Sequence, residues 1–386
     1  MVKFAHISDA HLGGWKQQPM QNLNFESFKR AIEICIEKKL DFVLIAGDLF
    51  DSAYPGIEVL KETFAEFKKL KESGIPCFLI AGSHDYSVSG KTFLDVLEKA
   101  GFCKNISQSE EKEDKIILDP VIHKGVALYG YPGKKSGLEI SDLRRIKLND
   151  SPGMFKIFAL HTTIDKAKGT LPIDAIETDL LPKADYYALG HLHIDFQYQN
   201  FIYPGPLFPN NFQELEDLNY GSFYIVDTEE SNPLQKISIK IKDVVLVQVQ
   251  IRDALTATQT ILSELEKKDL EDKIVLLRIS GKLENGKNSD IKFPLIENFV
   301  MEKGAYFLLK NTHELITSEF ELETELKDSE NIEEEAIKIY SDKNPTKFND
   351  LIPELLNSLQ IEKQEGETSE VFTTRLMETA RKILRF

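Results

Sequence analysis

Cysteine is scarce in this chain. Cys35, Cys77 and Cys103 are an odd number, scattered, and set among apolar neighbours. That pattern argues against a disulfide framework or a cysteine metal cluster and predicts reduced, buried thiols in a cytosolic protein. Long apolar runs are also missing: no stretch of about 18 uncharged apolar residues occurs, so no membrane span is expected. The opening MVKFAHISDAH reads as a strand running into polar residues, without the basic start and apolar stretch of a signal peptide. The expected location is therefore cytoplasmic. Positive charge is in deficit too, with a net charge of −16. An acidic surface repels phosphate backbones, which counts against a nucleic-acid ligand. The distribution softens this: residues 311–386 carry a net −9 and the first 310 residues −7. Acids that sit on metal ions also reverse the local field.

What is present is the composition of a soluble globular protein, 42% hydrophobic and 28% charged over 386 residues, long enough for two or three domains. Through the first two hundred residues, short apolar runs (VKFAHIS, DFVLIAG, PCFLIAG, VALYGY, MFKIFAL, DYYALG) alternate with amphipathic helical stretches. Continuous apolar strands between helices predict a largely buried sheet with helices on its faces, an α/β fold. Hairpins are expected around 219–243. From about 244 a strand–helix–strand–helix–strand pattern reads as a small second domain. An acidic stretch then leads to two short amphipathic helices, one with Phe348, Leu351, Ile352, Leu355, Leu356 and Leu359 on a stripe, the other with Phe372, Leu376, Ala380, Ile383 and Leu384. The expected boundaries are 1–240, 241–318, a linker at 319–344 and a tail at 345–386.

The chemistry lies at the ends of the strand-like runs. Asp9 and His11 follow the first, Gly47 and Asp48 the second, and Gly82-Ser83-His84-Asp85 the third; His161 ends MFKIFAL, and Gly190-His191-x-His193 ends DYYALG. Ligands of an open α/β sheet bind outside the carboxyl ends of its strands, so these distant segments can converge. Carboxylates with neutral imidazoles suit borderline divalent metals such as manganese, iron or zinc. Two such ions can clamp the attacking and leaving oxygens of a phosphoryl displacement. They repel one another, so an anion must bridge them, and Asp48 is the candidate. A DxH or a GD alone is commonplace, and a lone strand-end histidine is more often structural. The ensemble carries the inference, because five of the eight histidines fall at strand ends. His6, His123 and His313 read as ordinary structural histidines.

This ordered set resembles the calcineurin-like metallophosphoesterases. Within them, DAHLGG, GDLFDS, AGSHDYSVSGKTFLDVLEKAG, YYALGHLH and YPGPLFPNNFQELE are most similar to the archaeal SbcD-type ("meiotic recombination eleven") DNA double-strand-break repair nucleases. The resemblance is strong over residues 1–230. It implies a metallophosphoesterase β-sandwich flanked by helices, a smaller α+β capping domain that contacts DNA, and a C-terminal helical tail that binds a partner. It also implies two divalent cations per subunit, manganese first, with Mg2+, Fe2+ or Zn2+ as alternatives. One would sit on Asp9, His11, Asp48 and His193, the other on Asp48, Ser83, His161 and His191. Ser83 departs from the usual Asn, and Asp51 stands where some relatives have His.

By the same resemblance His84 is the general acid, its imidazolium held by Asp9. The implied activity is 3′→5′ exonuclease on duplex DNA and endonuclease on single strands and hairpins, in the nucleoid. The implied partners are a second copy, through the helices at Ile57–Leu70 and Phe93–Ala100, and an SbcC-type ("Rad-fifty") coiled-coil ABC ATPase on the C-terminal helices. Trp15, Lys16, Tyr86, Lys134 and Lys135 are candidate DNA contacts. Two rivals stand beside this reading: a metallophosphoesterase for a small phosphomonoester or phosphodiester, since substrate choice lies in loops, and a non-catalytic scaffold whose support is Ser83.

Overall fold

The computed structural model describes residues 2–87, 90–134, 137–170, 173–230, 233–317, 341, 346, 348–359 and 369–384. In chain order, β1 (Lys3–Ile7), α1 (Gln18–Glu37), β2 (Phe42–Ala46), α2 (Ile57–Glu72), β3 (Cys77–Ile80), α3 (Leu94–Lys99) and β4 (Lys104–Asn105) form the first half of a sandwich. Then come β5 (Ser109–Lys112), β6 (Lys115–Leu118), β7 (Val121–His123), β8 (Val126–Tyr131), α4 (Glu139–Leu143), β9 (Ile146–Leu148) and β10 (Phe155–His161). They are followed by β11 (Tyr186–Gly190), β12 (Asp195–Tyr198), β13 (Phe201–Pro204), α5 (Phe212–Leu218), β14 (Gly221–Asp227) and β15 (Leu234–Ile239).

Two six-stranded sheets result, ordered β15-β14-β1-β2-β3-β4 and β12-β13-β11-β10-β8-β7. The apolar runs are continuous because the inner strands, such as β2, β3, β8 and β11, are buried on both faces. In β2, Val43 and Ile45 join Phe28, Ile32 and Phe67 in a core under α1 and α2. Phe42 and Leu44 point the other way and meet Leu128, Ile157 and Ala188 of the second sheet. In β10, Ile157 and Ala159 face this inter-sheet core, while Phe158 and Leu160 face a third core with Leu118 and Leu143. The fold is therefore a sandwich of two mixed sheets with helices on its outer face, as the resemblance implied. Burying a Phe or Leu side chain contributes roughly 1.5–3 kcal/mol, and stacked Phe4 and Phe42, 4.8 Å between ring centroids, add to the inter-sheet face.

α1 starts with Pro at its first turn, where a missing N–H costs nothing. Its buried residues Leu23, Ser27, Phe28, Ala31, Ile32 and Cys35 recur at helical spacing. All three cysteines are free, with Cys35 and Cys77 buried. Burial pushes the Cys103 thiol up to about 12, so it is inert at neutral pH.

Beyond β15 lie β16 (Val244–Gln250), α6 (Ala254–Glu266), β17 (Ile274–Leu283), α7 (Phe293–Glu302) and β18 (Phe307–Thr317), with sheet order β16-β17-β18. Two compact units emerge. One comprises Met1–Val249, Thr258–Ile279 and Lys292–Thr312, so most of this small sheet belongs with the sandwich. There Ile274, Leu276 and Leu309 share a core with Met20, Leu23, Phe208 and Leu215. The other comprises Gln250–Ala257, Ser280–Ile291 and His313–Phe386. Within it Ile251 and Ala254 donate backbone N–H groups to Ser280 and Asn285, and the tail forms α8 (Ile352–Leu359) and α9 (Ser369–Leu384). The acidic stretch expected as a linker lies outside the described residues except at Ser341. Among the described residues no helix is long and apolar enough to cross a membrane.

Candidate metal centre

β1, β2 and β3 run parallel, as do β10 and β11, so the carboxyl ends of each set lie along one sheet edge. Asp9, His11, Asp48, Ser83, His161, His191 and His193 all follow those ends. The backbone there is unusual: Asp9 (φ 50), His11 (φ 42), Asp48 (φ 49) and His191 (φ 96) occupy the left-handed region. Non-glycine residues held there cost on the order of 1–3 kcal/mol each and collect at functional sites. Glycines make room beside them. A Cβ on Gly47 (φ +90) would lie 2.3 Å from His161 Nδ1, and one on Gly82 would lie 2.2 Å from Asp48 Oδ1.

The side chains meet across the two sheets. His161 Nε2 lies 3.1 Å from Asp48 Oδ2, and His11 Nε2 lies 3.6 Å from the same oxygen. His11 Nε2 and His193 Nε2 face one another at 3.0 Å, and His193 Nε2 is 3.8 Å from Asp9 Oδ1. Three groups are spaced to hold a cation: Asp9 with His11 and His193, Asp9 with Asp48 and His161, and His11 with Asp48 and His84. Asp9, His11 and Asp48 each belong to two of these groups. Ser83 Oγ donates to Asp48 Oδ2 at 3.4 Å, and the His191 ring sits edge-on to His161 with centroids 5.1 Å apart.

The other nitrogen of each ring fixes its tautomer. His11 Nδ1 donates to Asp51 Oδ1 at 3.1 Å, and His193 Nδ1 to Glu214 Oε1 at 2.9 Å. His161 Nδ1 donates to the Ala46 carbonyl at 2.9 Å, and His84 Nδ1 to the Asp51 carbonyl at 2.9 Å. These oxygens only accept, so each Nδ1 carries a proton, and in the neutral ring Nε2 carries the lone pair. With both rings neutral, the lone pairs of His11 and His193 point at each other. His161 Nε2, fully buried, faces a carboxylate oxygen and finds no donor among the described residues. An unmatched buried acceptor costs about 1–3 kcal/mol. A positive centre relieves the arrangement: a metal cation shared by these groups or, in its absence, a proton on Nε2. This is how metal-binding imidazoles are held, with the far nitrogen donating to a carboxylate or carbonyl.

The electrostatics show how strongly the site draws positive charge, which protons supply when no metal is bound. Burial opposes charging His161, yet Asp48 beside it drives its pKa up to about 10. His193 is likewise raised to about 9 against burial, through Glu214 and Asp9. Asp48 is held well below the ordinary carboxylate range despite its burial, because His161 and His11 face it. Burial, then His161, pushes His191 down to about 4, leaving a neutral imidazole suited to a cation. Asp85 is a scaffold: buried, and accepting from the Gly82, Leu49 and Phe50 amides, it ties the β2 and β3 loops together.

Some expectations change. Asp9 was expected to hold His84, but its carboxylate accepts from Ser8 Oγ (2.6 Å) and the His191 amide (3.0 Å). The Asp51 carbonyl holds His84 instead, and the His84 side chain is 48% exposed. Trp15, a candidate DNA contact, is only 6% exposed and packs with Phe208 while its indole N–H donates to Pro209. It belongs to the core. Tyr86 is half-buried against the helix-side core. Lys16 is exposed, Lys134 pairs with Asp142, and Lys135 lies outside the described residues. Asp51 and Glu214 were missed as partners of His11 and His193; the far-nitrogen rule would have called for acceptors without saying which.

Comparison with known proteins follows from this geometry. The family described as calcineurin-like phosphoesterase matches residues 2–195. The chain is similar to the "Uncharacterized metallophosphoesterase YhaO" of Bacillus subtilis, 26% identical over 288 residues, 69% of this chain and 69% of that one. It is also similar to the DNA double-strand break repair protein Mre11 of Archaeoglobus fulgidus, 31% identical over 227 residues, 53% of this chain and 49% of that protein. Against the Mre11 of Methanocaldococcus jannaschii it is 29% identical over 270 residues, 65% of this chain and 70% of the other. The chain thus matches about half the length of the Archaeoglobus protein.

Proposed function

The chain belongs to the calcineurin-like phosphoesterases, and from that premise we propose that it is a DNA double-strand-break repair nuclease that uses two divalent cations. The observation that carries this reading is the set of Nε2 atoms converging on Asp48 and Asp9, with the far nitrogens of His11, His193, His161 and His84 already bonded to acceptors. Asp9, His11, Asp48 and His193 would hold one cation, and Asp48, Ser83, His161 and His191 the other, with manganese the favoured ion. When bound, such a pair supplies electrophilic stabilisation of the attacking and departing oxygens of phosphoryl transfer.

The chain's own groups do the rest. Asp48, which faces both His161 and His11, belongs to both proposed ligand sets and would supply the negative charge shared by two cations. His84 donates Nδ1–H to the Asp51 carbonyl, so in its imidazolium form the Nε2–H is the proton that would pass to the leaving ribose oxygen, leaving a neutral ring still held at Nδ1. His84 also lies within cation-holding range of His11 and Asp48. A His84→Gln variant separates the roles: it cuts turnover sharply with metal content intact if His84 is the acid, and loses metal as well if it is a ligand.

The DNA-repair assignment draws support from the similarity to archaeal Mre11 proteins. On that basis the activity is 3′→5′ exonuclease on duplexes and endonuclease on single strands and hairpins. Residues 241–318 would cap the site and contact DNA. An SbcC-type ATPase would dock on the C-terminal helices, and the chain would pair with a second copy. One observation favours the rival small-phosphoester reading: Trp15 is buried and Lys134 is already paired, which leaves fewer candidate backbone contacts. Turnover of a labelled blunt duplex against nitrophenyl phosphates, with manganese, decides between them. Cleavage of the nitrophenyl esters alone would sink the nuclease assignment.

A further inference from the structure

α5 is only seven residues long, too short to hold itself together by helix formation alone. It is pinned on two sides. Its first turn faces the candidate metal centre. Asn211 caps it by accepting the Glu214 amide at 2.9 Å, and the Glu214 carboxylate accepts from His193 Nδ1 (2.9 Å), the Asn210 amide (2.8 Å) and Asn211 Nδ2 (2.6 Å). Glu214 is thereby fixed in one pose and fixes the His193 ring in turn.

Glu216 lies two residues further on, about 200° around the helix, and is held by the small sheet. Arg278 of β17 donates to Glu216 through Nε (3.1 Å) and a terminal nitrogen, and to Gln213 Oε1 at 2.7 Å. Its guanidinium lies 5.2 Å from the centre of the Phe212 ring. Gln248 of β16 donates to the other Glu216 oxygen at 3.2 Å. Arg278 and Glu216 are both largely buried, with 13% and 14% of their side chains exposed. Leu215, between the two carboxylates, is fully buried in a core with Ile274 and Leu276 of β17.

We infer that Arg278 is a remote positioning residue for His193, acting through α5 and Glu214, so that the seating of the small sheet sets the quality of one half of the metal centre. The inference rests on the two-cation reading proposed above. Buried charge pairs are costly to break from one side, because the remaining charge stays unpaired. Loss of Arg278 therefore frees α5 at Glu216, and Glu214 loses the rigid base from which it orients His193. Partners of this kind typically set metal affinity over about 10–100-fold. The half-site built on His161 makes no contact with α5 in these bonds and is expected to be insensitive.

Calorimetric titration of manganese into the full chain tests this. The wild type should take up two ions. Glu214→Gln and Arg278→Ala should each weaken one of them by roughly tenfold or more and leave the other unchanged. The double variant should be no weaker than Glu214→Gln, because both substitutions cut one linkage. Additive losses, or equal losses at both sites, would overturn the inference. So would wild-type affinities in both single variants, which would leave the metal reading standing. A wild type that takes up no manganese removes the metal reading and this inference with it. Should Arg278→Ala not fold, Arg278→Lys keeps the charge against Glu216 but not the fork to Gln213; weakening at one site supports the linkage, and unchanged affinity at both refutes it.

Discussion

Two buried histidines in one sandwich have opposite fates. His6, inside β1, has both ring nitrogens matched: Nε2 donates to the Leu189 carbonyl at 3.2 Å, and Nδ1 accepts from the Tyr186 hydroxyl at 2.9 Å. Burial with no carboxylate at hand pushes its pKa down to about 3, and it stays neutral. His161, at the end of β10, is equally buried but faces Asp48, and is driven to about 10. Burial by itself makes an imidazole an inert packing group. A buried imidazole that faces carboxylates, with its far nitrogen already bonded, draws positive charge, as a proton or as a metal cation. Placement at the carboxyl end of a strand, against Asp48, separates the two.

The contrast can be broken or sharpened by substitution, beginning where the effect should be largest. Asp48→Asn keeps the shape but removes the charge that His161 and His11 face. It should abolish manganese uptake and phosphodiester cleavage together, as read by metal analysis and a nuclease assay; retained binding would remove Asp48 from its bridging role. His84→Gln should lower turnover by about 10²–10⁴-fold, the range for a general acid, while metal content stays at the wild-type level. Asp51→Asn replaces the acceptor of His11 Nδ1 with a neutral one. Metal affinity at the His11 half-site should fall by roughly 10–100-fold, measured by titration, with the His84 contact kept because it uses the Asp51 backbone.

The smallest effect belongs to His6, and it appears in stability. Its folded pKa is lowered, to about 3, from 6.5. Its contribution is therefore complete above pH 6.5 and is lost as pH falls below it, because the unfolded chain takes up a proton that the folded chain refuses. The slope is about 1.4 kcal/mol per pH unit, so roughly 2 kcal/mol is lost between pH 7 and pH 5. The difference between wild type and His6→Gln in denaturant titrations cancels the other titrating groups. A difference that does not change with pH would show that His6 is already charged in the fold.

Much of the site could be read from strand-end residues. Asp9, His11, Asp48, His161, His191 and His193 were legible because an apolar run that stops at a glycine or a histidine marks the edge of a buried sheet. Their partners were not. Asp51 looked like a departure from a family pattern, yet it is the acceptor that orients His11, and its backbone carbonyl orients His84. A carbonyl belongs to every residue, so no residue type announces it. Glu214 sits in a helix 21 residues beyond His193, and nothing in its local pattern separates it from Glu216, which faces the other way. Trp15 read as a loop residue available to a ligand, although it fills a core closed by Phe208, far along the chain.

The sequence by itself determined the fold class, the order of the strands' chemistry, and that these side chains could hold a metal. Apolar periodicity and residue type are local properties, and they survive without knowledge of what lies across the sandwich. Only the tertiary structure decided which nitrogen of each ring points inward and which oxygen holds the other. Those choices rest on contacts between residues up to 182 apart, as between His11 and His193, and hydrogen-bond geometry is satisfied in space, where sequence separation leaves no trace.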